Sequence, residues 1–486
     1  MWDTMIYNYL KDRNVVVPPR KGSKKDEKYA GAYVKEPTPG LYNWVVSFDL
    51  NSLYPHLIMQ YNISPETLIE QRHPSATVDR ILEETLNIDD TYCVCANGAQ
   101  YRKDIHGFLP EMMQKIYDER TIYKKRMLKS KQALEHATTS AETVALQKDI
   151  SKFNNIQMAR KIQLNSAYGA IGNQYFRYYN LANAEAITLS GKVNQYLNKL
   201  LKTEDHDYVI ASDTDSIYVC LDLLVRSVFD GKDVSKERIV NFLDAACKDR
   251  IEPFIDKSYQ ELASYVGAYE QKMFMKRENI AEKGIWTAKK RYILNVWDSE
   301  GVRYDKPKLK MMGIEAVKSS TPAACRTSIK DCLVVIMNQN EEAAQKFIAD
   351  FRDKFSSLPI EDISFPRGCN GINKWSNPST IYSKGTPIHV RGALLYNFHN
   401  KKNKLTHKYP LIQDGEKIKF VYLKTPNKIG ENVISYLNTF PKEFGLDKQV
   451  DYDLQFGKSF LDPIKVIMDV IGWQPEKVAN LEFLFG

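Results

Sequence analysis

Nothing in this 486-residue chain spells a disulfide scaffold. Its seven cysteines are an odd count and form no paired C-x-x-C framework, which argues against a cross-linked module. Cys93-Val94-Cys95 stands too isolated for a zinc knuckle and reads as a strand with both thiols on one face. No run approaches the roughly 18 apolar residues of a membrane span, and Met1-Trp2-Asp3-Thr4 lacks a signal-peptide core. No internal repeat or low-complexity tract appears. The spaced ligands, glycine and closing glutamate of an EF-hand are also missing around the Asp-Thr-Asp at 213–215. A soluble, cytoplasmic protein in a reducing compartment, without a membrane partner, is expected.

What is present is an ordinary globular composition, 43% hydrophobic and 26% charged, in a chain long enough for roughly two to four domains. The net charge is +8, and the 29 tyrosines and 20 phenylalanines can pack cores or stack on bases. That balance suits a polyanion partner without requiring one.

The pattern along the chain predicts a short amphipathic helix over 5–17, then a polar, basic stretch over 18–28. From 111 to 135 the register turns helical, with Met113, Ile116, Tyr123 and Met127 on one stripe that Arg120 interrupts. A break at 136–140 and a second helix over 142–170 predict a projecting helical hairpin. Strand patterns at 42–49 and 208–220 flank it, so the hairpin is expected as an insertion into a sheet-bearing domain. Beyond Pro322 the chain is mixed and mostly helical, with lysine-rich stretches such as Lys401-Lys402-Asn403-Lys404, and is expected to form a separate C-terminal domain.

Two aspartates sit where β-patterns stop. Asp49 ends the apolar run Val45-Val46-Ser47-Phe48, where a charge is costly unless paired. The bland alternative is an N-cap for the next helix. Asp213-Thr214-Asp215-Ser216 lies between two apolar arms and reads as a tight hairpin with an acidic turn. By strand alternation Asp213 and Asp215 face the same way, which demands a cation or a proton. Lys161, Asn165 and Tyr168 share one helix face, and Arg120 and Lys124 stand one turn apart on the preceding helix. Gly169 and Gly172 leave room for something flat, such as a base pair, against Tyr168. Lys289-Lys290-Arg291-Tyr292 places three adjacent cations at the start of a strand, as a phosphate contact or a plain charged strand end.

These stretches, in this order, closely resemble the family B (Pol α-like) DNA polymerases, and within them the replicative polymerases of T-even-type phages. Ser47-Phe48-Asp49-Leu50-Asn51-Ser52-Leu53-Tyr54-Pro55 resembles motif A. Lys161-Ile162-Gln163-Leu164-Asn165-Ser166-Ala167-Tyr168-Gly169 resembles motif B, Asp213-Thr214-Asp215-Ser216 motif C, and Lys289-Lys290-Arg291-Tyr292 the K-K-R-Y element. The resemblance implies an α+β right-hand polymerase: an N-terminal helix and basic linker over 1–29, an antiparallel palm sheet backed by helices (30–110 and 174–312), helical fingers (111–173) and a mainly helical thumb (313–486). It implies template-directed addition of dNMP to a primer 3′-end, with two Mg²⁺ ions, Mn²⁺ as substitute, held by Asp49, Asp215 and the Leu50 carbonyl. Asp213 would support them, and Glu278 falls where the family places an acidic residue near the metals. Arg120, Lys124 and Lys161 would grip the dNTP triphosphate, with backbone amides near Ser52 and Leu53. Tyr54 would exclude a 2′-hydroxyl, while Asn165 and Tyr168 line the base-pair pocket. Gly169, Lys289, Lys290, Arg291 and Tyr292 would meet primer-template DNA. Leu481, Phe483, Leu484 and Phe485 in the apolar tail resemble a peptide that docks on a sliding clamp.

Two departures stand out. Ala211-Ser212 replaces the Tyr-Gly that usually opens motif C, which bears on placing the primer end. No Asp-x-Glu exonuclease motif precedes Asp49, so a split enzyme with proofreading on a separate polypeptide is expected, with a truncated copy as the other reading. A silent DNA-binding scaffold is the alternative, opposed by the intact Asp49, Asp215, Lys161 and Tyr54. A metal-dependent nuclease is opposed by the triphosphate-type Lys and Tyr residues.

Overall fold

The computed structural model describes residues 1–20, 31, 33–50, 52–193, 195–203 and 206–477. The candidate clamp-docking tail at 481–486 and most of the basic stretch at 18–28 lie outside them. The chain divides into two compact units. The first comprises Met1–Thr38, Tyr42–Gly284 and Asn295–Lys308; the second comprises Pro39–Leu41, Ile285–Leu294 and Leu309–Gly486.

The first unit opens with helix α1 (Trp2–Lys11), which buries Trp2, Ile6 and Leu10 at four-residue spacing. Each such burial contributes roughly 1.5–3 kcal/mol. The helix expected over 5–17 therefore starts earlier and stops sooner. Trp2 is one of its anchors, and its indole N–H donates to the Gln163 carbonyl at 3.1 Å.

Strands β1 (Val34–Lys35) and β2 (Gly40–Leu50) follow, and β3 (Tyr92–Val94) and β4 (Gln100–Arg102) pair as a small separate hairpin. Cys93 and Cys95 are both buried there as free thiols. With β5 (Val209–Asp213), β6 (Ser216–Cys220), β7 (Met275–Ala288), β8 (Arg291–Ser299) and β9 (Val302–Met312), the main sheet has seven strands in the order β1-β5-β6-β2-β7-β8-β9. The β1–β5, β5–β6 and β6–β2 pairs are antiparallel. Val45, Val46, Ser47 and Phe48 are all buried, which is why β2 reads as an unbroken run rather than an alternation. The one polar member, Ser47, receives hydrogen bonds from the Asn279 side chain at 2.8 Å and the Asn279 amide at 3.1 Å.

Helix α2 (Leu53–Gln60) leaves the end of β2, followed by the short α3 (Val78–Leu82). The helical hairpin forms as expected from α4 (Phe108–Glu135) and α5 (Ser140–Ile171), which pack along each other. Thr139 caps α5 by accepting from the Glu142 amide at 3.2 Å.

The second unit has its own core. Helices Ala323–Asn338, Glu341–Phe355 and Ile388–Lys402 accompany a three-stranded antiparallel sheet of Phe365–Cys369, Glu416–Tyr422 and Val433–Tyr436. That sheet is an addition to the mostly helical reading of this region. Its strands carry Phe365, Ile418, Phe420 and Val421 into the core, a short apolar signal easily absorbed into a helical pattern. No described helix is long and apolar enough to cross a membrane.

Candidate active site

Backbone pairing brings the two aspartates together. Asp49 is the penultimate residue of β2 and pairs with Ser216, and the Leu50 amide donates to the Asp215 carbonyl at 2.8 Å. Asp213 pairs with Ser216, so the hairpin turn is the two residues Thr214-Asp215. Thr214 adopts φ +58° there, held by its amide on the Tyr33 carbonyl (3.1 Å) and its hydroxyl on the Asp213 carboxylate (3.0 Å). This corrects the alternation argument. A left-handed residue between the two aspartates ends the strand period, and only Asp215 lines the cavity described next. Asp49 is not the cap of α2 either; Ser52, at φ +57°, holds that position.

A cavity of ≈ 370 Å³ opens over these strand ends. Asp49, Asp215 and Glu278 contribute carboxylates, and Arg120, Lys124 and Lys161 contribute cations from α4 and α5. Ser52, Leu53, Tyr54, Asn165 and Tyr168 line it as well. Leu50 and Gly169 do not, but a Cβ on Gly169 would meet open space, in line with room beside Tyr168.

Arg120 explains its own break in the apolar stripe: it is 6% exposed, and its guanidinium donates to the Ser52 hydroxyl at 2.8 Å. Lys124 pairs with Glu300 at 2.5 Å. The Tyr54 and Tyr168 rings pack at 4.5 Å between centroids, tilted by 41°, and the Tyr168 hydroxyl meets that of Thr188 at 2.7 Å. Burial, with Tyr168 and Asp215 nearby, pushes the Tyr54 phenol up to about 12, so it stays neutral. Beneath Ser52, the buried His56 meets the Ser52 carbonyl at 2.9 Å, and burial pushes its imidazole down to about 4.

Burial also raises the Asp215 carboxyl to about 6, with help from the charges of Asp213 and Glu278 and opposition from Lys161. A half-buried carboxylate among others is a place where a cation is stabilising. Among the described residues no cluster of three or more His, Cys, Asp or Glu forms a cage for a metal. An all-oxygen pair of carboxylates nevertheless fits a hard divalent ion that completes its shell with water and substrate phosphates.

Two lining residues escaped the sequence reading as site residues. Thr214 sat inside a quoted motif without a role. Glu300 lies in the turn between β8 and β9, and no pattern there marks it. In the second unit, Lys289 and Lys290 form the exposed turn between β7 and β8 rather than entering a strand, with Lys290 at φ +59°. Arg291 is held by Glu315 at 2.9 Å, and Tyr292 is buried against Trp286. Of the three adjacent cations only Arg291 therefore stands at the start of a strand.

Comparison with known proteins places this arrangement. The description "DNA polymerase family B" matches residues 3–229. The chain is 34% identical to the DNA-directed DNA polymerase of Enterobacteria phage T4 and 35% identical to that of Escherichia phage RB69, over its whole length in both cases. It spans 60% of the length of each of these relatives. A DNA polymerase of Pyrococcus glycovorans is 27% identical over 72% of the chain and 38% of its own length. The chain is thus similar to family B DNA polymerases over residues 3–229 and to the T4 and RB69 enzymes along its whole length.

Proposed function

We propose that the chain carries out template-directed 5′→3′ DNA synthesis in phage DNA replication, adding dNMP from a dNTP to a primer 3′-hydroxyl and releasing pyrophosphate. The observation that carries the reading is the single cavity in which carboxylates from strand ends face cations from two helices. Opposed charge of this kind suits phosphoryl transfer, where catalysis is mostly positioning and electrostatic stabilisation.

In this reading Arg120, Lys124 and Lys161 bind the triphosphate, and the Ser52 hydroxyl fixes the Arg120 guanidinium. Asp49, Asp215 and the Leu50 carbonyl would hold two divalent ions, Mg²⁺ in the first place. When bound, these supply a lowered pKa for the 3′-hydroxyl and charge neutralisation on the leaving group. Tyr54, braced by Tyr168, would stand against a ribose 2′-hydroxyl. Asn165 and Tyr168 orient the nascent base pair, with the open face at Gly169 accommodating it. Lys289 and Lys290, with Arg291 and Tyr292 behind them, contact primer-template phosphates. The sheet and α2 act as palm, α4 and α5 as fingers, and the residues after 312 as thumb. The tail at 481–486 acts as a clamp-docking peptide; its deletion should lower processivity with clamp and leave distributive synthesis alone.

The test is primer extension on a recessed template with Mg²⁺ and four dNTPs, beside the same reaction in chelator. A dNTP-dependent product ladder that chelator abolishes is expected. Absence of any ladder, with DNA binding intact, would overturn the assignment in favour of a silent scaffold.

A further inference from the structure

A second cavity, of ≈ 330 Å³, backs onto the first. The two share Arg120, Lys124 and Glu300, while Asp49, Asp215, Tyr54 and Tyr168 line only the first. Those three side chains are therefore the partition between them. Beyond it stand Lys125, Lys248, Lys276 and Arg277, with Glu252 the one added carboxylate. Six cations thus face two acids, counting the partition.

This wall is built rather than incidental. Arg277 is buried, with ion pairs to Asp298 and, at 2.9 Å, to Asp244. Lys248 reaches Asp244 at 2.7 Å and Lys276 reaches Glu252 at 3.1 Å, so acidic residues tie these three cations into the wall. Arg120 borders both cavities, and its Nε–H is buried without a hydrogen-bond partner among the described residues. A guanidinium with an unmade hydrogen bond is held at a cost, and an anion drawn to the partition would offset it through the charge of Arg120.

We propose that this rear cavity binds pyrophosphate and receives it from the active site across the Arg120–Lys124–Glu300 partition. The proposal rests on the nucleotidyl-transfer reading above. Breaking the bond between the α-phosphorus and its bridging oxygen frees the two outer phosphoryl groups, which Arg120 and Lys124 already hold. Because the same two cations line the rear cavity, the product moves on without surrendering its counter-charges to water. In the absence of phosphate, Glu300 neutralises Lys124; pyrophosphate competes for that cation and opens the partition.

Inorganic pyrophosphate is the probe, titrated calorimetrically into the full chain without DNA. Lys125→Glu and Lys248→Glu alter exposed side chains that line only the rear cavity, and Lys161→Ala alters only the front one. Loss of both rear lysines should weaken binding by at least about tenfold, and Lys161→Ala by much less. Binding that survives the rear double variant but disappears in Lys161→Ala would overturn the proposal. Lys125→Gln with Lys248→Gln, whose melting temperature is followed alongside, separates loss of charge from a disturbed fold. In primer extension, the inhibition constant for pyrophosphate should rise at least about fivefold more than the dNTP KM; equal shifts would also overturn it. An unmutated chain that extends no primer would defeat the polymerase reading itself, while the calorimetry would still decide where pyrophosphate binds.

Discussion

Two hairpin turns in this chain use one backbone device with opposite charge. Thr214-Asp215 joins β5 to β6 and Lys289-Lys290 joins β7 to β8, and each has a non-glycine residue near φ +58°. The acidic turn is half-buried and braced from outside by Tyr33, Asp213 and the Leu50 amide. The basic turn is exposed. A fixed, partly desolvated carboxylate is worth far more to a reaction than a mobile one in water. An exposed lysine meets a phosphate at any of several positions along a backbone and gains little from being held. The contrast separates a residue placed for chemistry from residues placed for attraction.

The largest effect should come from removing the acidic turn's charge. Asp215→Asn keeps the shape and should lower the extension rate by at least about 10³-fold with DNA affinity retained. A rate within tenfold of the unmutated chain would remove Asp215 from the chemistry. Reversing the basic turn should act differently. Lys289→Glu with Lys290→Glu should weaken primer-template binding by roughly tenfold and flatten the dependence of log K on log salt by about 2. Saturating DNA should restore most of the rate. An unchanged salt slope would mean that the turn meets no phosphate.

The acidic turn also carries a stability cost with a definite sign. The Asp215 carboxyl titrates at about 6 in the fold against an ordinary 3.8, so the folded state holds its proton more tightly than the unfolded one. Stability is then lost as pH rises from about 4 to about 6 and stays low above that. In chelator, Asp215→Asn should be more stable than the unmutated chain at pH 8 by on the order of 1–2 kcal/mol, after screening of a group still partly in water. The two should converge near pH 4. A difference independent of pH would show that burial of this carboxylate is not what the fold resists.

Legibility followed the same division. Features written in period were readable: α4 and α5 came within a few residues, because their stripe and the Thr139 cap are local signals. The apolar run of β2 and the acidic turn were equally plain. What failed was anything decided by one backbone angle. Strand alternation put Asp213 and Asp215 on one side because nothing in Ser-Asp-Thr-Asp-Ser announces a left-handed threonine. The lysines at 289 and 290 read as the start of a strand for the same reason. Arg120 was conspicuous as a charge in an apolar stripe, but its purpose depended on Ser52, 68 positions away. Glu300 had no local signal at all, since its partner Lys124 lies on a helix remote in sequence.

The smallest effect would sharpen the comparison most. A β-branched residue in the left-handed region costs roughly 1–2 kcal/mol, against a smaller penalty for lysine. Glycine relieves either strain but gives back about 0.5–1 kcal/mol in chain entropy. Lys290→Gly should therefore shift stability by less than about 1 kcal/mol, with a DNA-affinity loss that saturating template recovers. Thr214→Gly also forfeits the hydroxyl bond to Asp213, so its net stability change should likewise stay within about 1 kcal/mol. Extension should nonetheless fall several-fold at saturating DNA and dNTP, because a glycine there lets the Asp215 carboxylate wander. Matched losses in the two variants under those conditions would mean that the strained threonine fixes nothing. A loss confined to Thr214→Gly would show that the threonine, through its backbone and its hydroxyl bond to Asp213, is what holds the carboxylate in place.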